Sequence, residues 1–383
     1  MTTVHRLAAT MLATLGLALA AAGCSSPPPK PLVNWSAIST APPAGPAKNL
    51  IAAAKKEGTL NVIGLPAGQA SWAAIIKSFT KTYGIKIHQE YPADTSQQDI
   101  SQAKLENHTT AAPDVFTLDM TVALANANLF APYKVSTWNS IPVTLKDPTG
   151  LWAAVYGGYM SVGYNPRFGT ITSLSQLLEP KFRHAVALTA SPASALGFGL
   201  NGVMLTDPAL NAVMMAGLAK DGRTGGIAAG VAWFAKLHAV GNLAPLTATP
   251  ATIKAGTTPV VFNWDYLNQP AATGVTGWKT FIPPGVTLGG YYAQAINKNA
   301  PHPAAARLWE EYLYSQAKNG GQNLFLQTGA RPAELTAMTA NGTINTPAAA
   351  RLSKTTGPVL FLTPALATTA ASYLVANWAK AVS

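Results

Sequence analysis

A single cysteine, Cys24, stands among the 383 residues, so no internal disulfide can form. Charge is scarce as well. Only 11% of residues are charged, against roughly 25% in an average soluble domain, while 48% are hydrophobic. That balance excludes disorder for the bulk of the chain. Acids are the rarer sign, 15 against 26 Lys and Arg, for a net charge of +11. No run of five or more Lys or Arg occurs, so the excess reflects missing carboxylates and not a basic stripe. Nucleic-acid binding, which needs a concentrated phosphate-facing patch, is a poor reading. The six histidines, at positions 5, 88, 108, 184, 238 and 302, are nowhere paired at metal spacing, and there is no G-x-S-x-G. An enzyme is therefore not expected. Glycine (32) and proline (29) are plentiful, which argues against coiled coils and helical solenoids and for short elements joined by tight turns. The length predicts two or three structural units.

Residues 1–23 begin with His5 and Arg6 and continue as an apolar run from Leu7 to Ala22, the pattern of a secretory signal. The run is shorter than the roughly 20 residues that a membrane-crossing helix needs. Cys24 follows Ala21, Ala22 and Gly23 and resembles the bacterial lipobox, in which the processed cysteine carries lipid; the usual Leu three positions earlier is Ala21 here. Residues 24–47 hold a dense series of prolines and read as a stiff extended tether.

From there the text is periodic. A helix over 49–57 stops at Gly58, and a strand over 60–63 leads through a glycine-rich loop to a helix capped by Ser71, with Trp72, Ile75, Ile76, Phe79 and Tyr83 on one face. A strand over 85–91 completes a β-α-β unit, and a capped helix (95–108) leads to a strand over 114–118 that ends at Asp119. The apolar segment 152–164 reads as two strand segments bending at Gly157 and Gly158. A second series follows: a strand over 185–189, a serine-bearing loop, helices over 197–205 and 230–240, a strand over 259–264, an extended stretch over 289–296, and helices near 305–313, 321–327, 347–353 and 364–381. Such alternation means an α/β sheet.

Ligands of open α/β sheets sit beyond the carboxyl ends of strands, and interlobe clefts are favoured sites. Those ends place Trp72, Asp119, Trp264, Asp265, Tyr291 and Tyr292 as candidates. Ring faces and a desolvated carboxylate together suit a cationic ligand. Each has a structural alternative: Trp72 as core, Asp119 as a helix cap, and at most one of Tyr291 and Tyr292 facing a cleft if the strand alternates regularly. Adjacent tyrosines also suit ferric ion, with His88 and Glu90 as the nearest additional ligands. Ser191 and Ser194, ahead of a helix, could instead hold an anion such as an aminoalkylphosphonate, or simply cap. Gly197, Gly199 and Gly202 fit G-x-G-x-x-G, but the run is detached from its strand and reads better as close helix packing.

KKEGTLNVIG (55–64), SFTKTYGIKI (78–87), PDVFTLD (113–119), GGQNLFLQTGARPAEL (320–335) and, most specifically, YYAQAINKNAPHPAAARLWEEYLYS (291–315) resemble the solute-binding proteins of ATP-binding-cassette importers. The resemblance spans nearly all of 48–383 and is to family one, in its polyamine and ferric-ion-like branch. It implies an α/β, two-lobed type II periplasmic-binding-protein fold with an interlobe cleft and extended hinge crossovers. Lobe I is expected over 48–158 and 291–329, lobe II over 159–290 and 330–383. Asn263-Trp264-Asp265-Tyr266 and Tyr291-Tyr292 resemble positions at which polyamine-binding relatives contact ligand. The implied function is a monomeric, lipid-anchored extracytoplasmic receptor that captures an amine-bearing solute by lobe closure and delivers it to a permease with its ATPase. No cofactor, metal or nucleic acid is expected. Ferric-ion or phosphonate binding, and a non-transport surface lipoprotein or enzyme, are the alternatives.

Overall fold

The computed structural model describes residues 33–65, 70–92, 94–190, 208–222 and 226–382. The expected signal segment, Cys24, Ser191, Ser194 and the 197–202 glycine motif lie outside the described residues. Among the described residues, eleven strands share one sheet: β1 (Thr59–Ile63), β2 (Lys86–Glu90), β3 (Val115–Asp119), β4 (Phe130–Ala131), β5 (Ala153–Tyr164), β6 (Val186–Leu188), β7 (Val260–Trp264), β8 (Lys279–Phe281), β9 (Thr287–Asn297), β10 (Arg331–Pro332) and β11 (Val359–Phe361). The main path runs β2-β1-β3-β9-β5-β7-β6. Its outer parts are parallel, β2-β1-β3 on one side and β7-β6 on the other. The two long strands β5 and β9 run antiparallel between them.

In place of two bent segments, 153–164 forms one continuous strand. What changes at the glycines is the partner: Ala153–Tyr159 pair with β9, and Met160–Tyr164 pair with β7. Gly157 and Gly158 permit that handover by their lack of a side chain. A Cβ on Gly157 would lie 2.2 Å from the Gly290 carbonyl oxygen, and one on Gly158 2.6 Å from Asp265 Oδ1.

On the β1 side, the helix Pro303–Leu313 packs over the sheet beside the helices Lys48–Glu57 and Ala70–Tyr83. The free amides at its first turn are met by Glu57, which accepts from Ala304 N (3.1 Å) and Ala305 N (2.7 Å). Arg307 is buried with its guanidinium on the carbonyls of Ser36 and Ile38, and Ala41 N bonds to Lys134 O. The later part of the expected tether is thus docked on the body. Glu334 and Asn345 also bond to residues on the β1 side. Thr137 donates to Glu334, and Asn345 N donates to Asn323 Oδ1.

On the β7 side the helix Pro208–Asp221 has no counterpart in the sequence reading. Residues 209–218 are all buried, so no apolar stripe alternates with a polar face to announce it. It packs on the helix Ile227–Ala239, which meets the helix Pro364–Ala381 through Phe234 and Trp378. Among the described residues no helix is long and apolar enough to cross a membrane.

Buried acids give the fold a pH signature. Desolvation pushes Glu90, Asp99 and Glu310 up to about 8 and Glu334 up to about 7. His302 is raised by its hydrogen bond to buried Asp114. Each group binds its proton more tightly when folded than unfolded, so its contribution is complete below the unfolded pKa and is lost as pH rises through the folded one. Melting temperature is therefore expected to fall by several degrees between pH 5 and pH 8. A flat or rising profile across that window would contradict this account.

Candidate functional site

The ends of β3 and β7 and the middle of β9 converge. Asp119, Thr121, Asn211, Trp264, Tyr291 and Phe361 line a crevice of about 20 Å³, room for roughly one water. The walls are already close. No positively charged side chain lines it among the described residues.

Asp119 serves two ends at once. As the last residue of β3 it caps the helix Met120–Ala125, accepting from Thr121 N at 2.8 Å and from the Thr121 hydroxyl. Its own amide donates to Ser96 Oγ. Burial pushes the carboxyl up to about 6, although those Thr121 bonds favour the charged form. Of the two readings that the sequence left open, the helix cap is observed, and the residue also lines the crevice.

Tyr291 and Tyr292 point to opposite faces. Tyr292 is the register partner of both Asp119 and Tyr156 and stacks on the Tyr156 ring at 5.2 Å, so Asp119, Tyr292 and Tyr156 form a row across β3, β9 and β5. Tyr266 meets Tyr156 edge-on at 5.9 Å. Tyr291 instead contacts Phe361. Burial raises the phenols of Tyr156, Tyr266, Tyr291 and Tyr292, so they stand as neutral rings with intact electron-rich faces. Trp264 reaches the crevice because position 290 is glycine: a Cβ there would lie 2.5 Å from the indole.

Two candidates are placed elsewhere. Trp72 is 1% exposed and sits in the core against Trp309, Phe325 and Tyr156, since its helix turns the apolar stripe inward. Asp265 is also 1% exposed, and its carboxylate is already engaged: it accepts from Arg331 Nη2 at 2.9 Å and from Tyr159 N at 2.9 Å. It holds the fold's own cation. His88 and Glu90 lie on β2, three strands from β9, or roughly 14 Å at ordinary strand spacing. They do not join the tyrosines. Among the described residues, no three His, Cys, Asp or Glu cluster as a metal site. Sequence reasoning missed Tyr156, Asn211 and Arg331. Only the β5–β9 register reveals the first, and the helix carrying the second had no readable stripe.

A family model described as bacterial extracellular solute-binding protein matches residues 113–353. No curated protein matches the sequence. Among solved structures, the chain is similar to an iron- and citrate-bound IdiA (FutA) from Trichodesmium, with TM-score 0.52 and 19% identity over 85% of this chain and 98% of that one. It is similar to the fructose-6-phosphate-bound periplasmic binding protein AfuA from Actinobacillus pleuropneumoniae, with TM-score 0.59 and 16% identity over 85% and 99%. Iron-bound HitA from Pseudomonas aeruginosa gives TM-score 0.55 and 18% identity over 84% and 99%. At these identities the likeness is one of fold.

Proposed function

The chain belongs to the bacterial extracellular solute-binding proteins and has the two-lobed periplasmic-binding-protein fold, and we propose that the solute it captures is a small amine-bearing cation of the polyamine type. As a solute-binding receptor of an importer, its place is extracytoplasmic and its task is delivery to a permease. One observation carries the cationic reading: a buried acid, Asp119, lines a crevice together with Trp264, Tyr291 and Phe361, with no basic side chain among the described lining residues. An ammonium would gain roughly 0.5–2 kcal/mol from each ring it touches, and a charge-assisted bond to Asp119. The crevice is too narrow for such a solute as it stands, so entry requires the lobes to part and capture requires them to close again.

Ferric ion is the second reading, favoured by the direct pairing of Asp119 with Tyr292, both hard oxygen donors. A thermal-shift series on the full-length protein with spermidine, putrescine, ferric citrate, 2-aminoethylphosphonate and glucose separates the candidates. At 100 times its dissociation constant the true ligand adds about 2.7 kcal/mol. A shift with the amines alone is expected. A shift with ferric ion or the phosphonate but not with the amines would refute the cationic reading, and turnover of a substrate would refute the receptor class.

The lobes are read as 48–158 with 291–329, and 159–290 with the C-terminal segment. The partner change on β5 at Tyr159 supports the first boundary. The bonds of Glu334 and Asn345 to the β1 side support placing the last boundary nearer 350 than 330. The reading also includes a lipid anchor on Cys24. Cys24→Ser is expected to release the protein from the membrane fraction into the medium; retention of the variant would count against lipidation.

A further inference from the structure

Arg331 does more than pair with Asp265. The residue is 5% exposed, and both of its hydrogen bonds leave from Nη2, to Asp265 Oδ2 at 2.9 Å and to the Ser353 carbonyl. A guanidinium offers five N–H groups. Nε is buried with no acceptor among the described residues, and the guanidinium carbon lies 3.9 Å from the centre of the Tyr159 ring. A buried donor left unmade is a desolvation cost, and the guanidinium keeps donor capacity that its present bonds do not use.

Beside this guanidinium opens a pocket of about 490 Å³, lined by Tyr159, Arg331, Ser353, Lys354 and Thr355 together with Ala349, Ala350 and Leu352. Among the described residues it shares no lining residue with the Asp119 crevice. The charged residues among its described lining are both cations, Arg331 and exposed Lys354, and Tyr159, Ser353 and Thr355 bring hydroxyls. No carboxylate lines it among the described residues. Such a set of donors around an underused guanidinium matches the acceptor geometry of a phosphate or carboxylate.

We propose that this pocket is a second ligand site, taking a small oxyanion between Arg331 and Lys354. Its position gives it access to the junction of the two sheet halves: Arg331 starts β10, which pairs with β5 at Gly157, and Asp265 directly follows β7. The site is independent of which solute occupies the Asp119 crevice.

Calorimetric titration of the full-length protein with sodium phosphate, acetate and citrate, each against sodium chloride at matched ionic strength, tests it. Saturable heat with at least one oxyanion and none with chloride is expected. A response to phosphate alone assigns a tetrahedral anion; a response to acetate or citrate alone assigns a carboxylate. Lys354→Glu, an exposed change, should weaken binding by about tenfold, and Arg331→Gln should remove it. Should Arg331→Gln fail to fold, Lys354→Glu still decides. No saturable oxyanion binding, or an unchanged affinity in Lys354→Glu, overturns the assignment.

Discussion

Replacing Asp119 with asparagine is expected to lower the affinity for an amine-bearing solute by roughly 30-fold, the cost of losing one buried charge-assisted hydrogen bond. Asparagine keeps the side-chain oxygen that accepts from Thr121 N, so the helix Met120–Ala125 stays capped and the fold is preserved. The wild-type pH profile should make the same point without a substitution. Burial holds the Asp119 carboxyl at about 6. Below that value it is neutral and attracts a cation far less, so affinity should fall as pH drops from 7 to 5, and the slope should vanish in Asp119→Asn. The stability of the unliganded protein moves the other way. A carboxyl raised above its unfolded pKa stabilises the fold when protonated, and this contribution is lost as pH rises through 6. Tighter melting at acid pH with weaker amine binding is a combination that a merely structural Asp119 would not produce. If amine affinity is unaltered in the variant and flat with pH, the carboxylate is only a helix cap.

Much of this arrangement was legible in the sequence, and the reasons differ by element. The helices Gly321–Gln327 and Pro364–Ala381 begin and end where glycine, proline and apolar spacing place them. The strand β3 was readable with its carboxylate at the end, because a short apolar run bounded by Pro113 and Asp119 admits few other fates. Trp72 could not be assigned, since a tryptophan on an apolar helix face at a strand end fits either core or cleft until Trp309 and Phe325 close over it. Asp265 was misleading for a related reason. Its partner lies 66 residues further along the chain, and nothing local in Asn263-Trp264-Asp265-Tyr266 announces a guanidinium. The row Asp119-Tyr292-Tyr156 needs the register of three strands brought together from distant stretches, which periodicity within any one of them does not contain.

The Asp265–Arg331 pair gives the largest expected effect on stability. Asp265→Asn keeps an oxygen for the Tyr159 amide but removes the charge opposite Arg331, leaving a guanidinium in a site where the pair is 1% and 6% exposed. Breaking a buried ion pair by removing one partner costs roughly 3–5 kcal/mol, because the survivor stays desolvated without compensation. For a chain of this length that is a drop of roughly 5 °C in melting temperature. Removing both charges together, as Asp265→Leu with Arg331→Met, should return most of the loss, since apolar replacements of buried pairs are often neutral. The contrast separates two roles. A carboxylate that bound solute would cost affinity when neutralised and leave melting unchanged, and the double variant would be no better than the single. A carboxylate that ties β10 to the end of β7 would cost stability first, recover in the double variant, and leave amine affinity in the Asp119 crevice nearly untouched. Chemical denaturation of the two variants beside wild type decides between these roles, and equal loss in single and double variants would show that the pair is not what holds this junction.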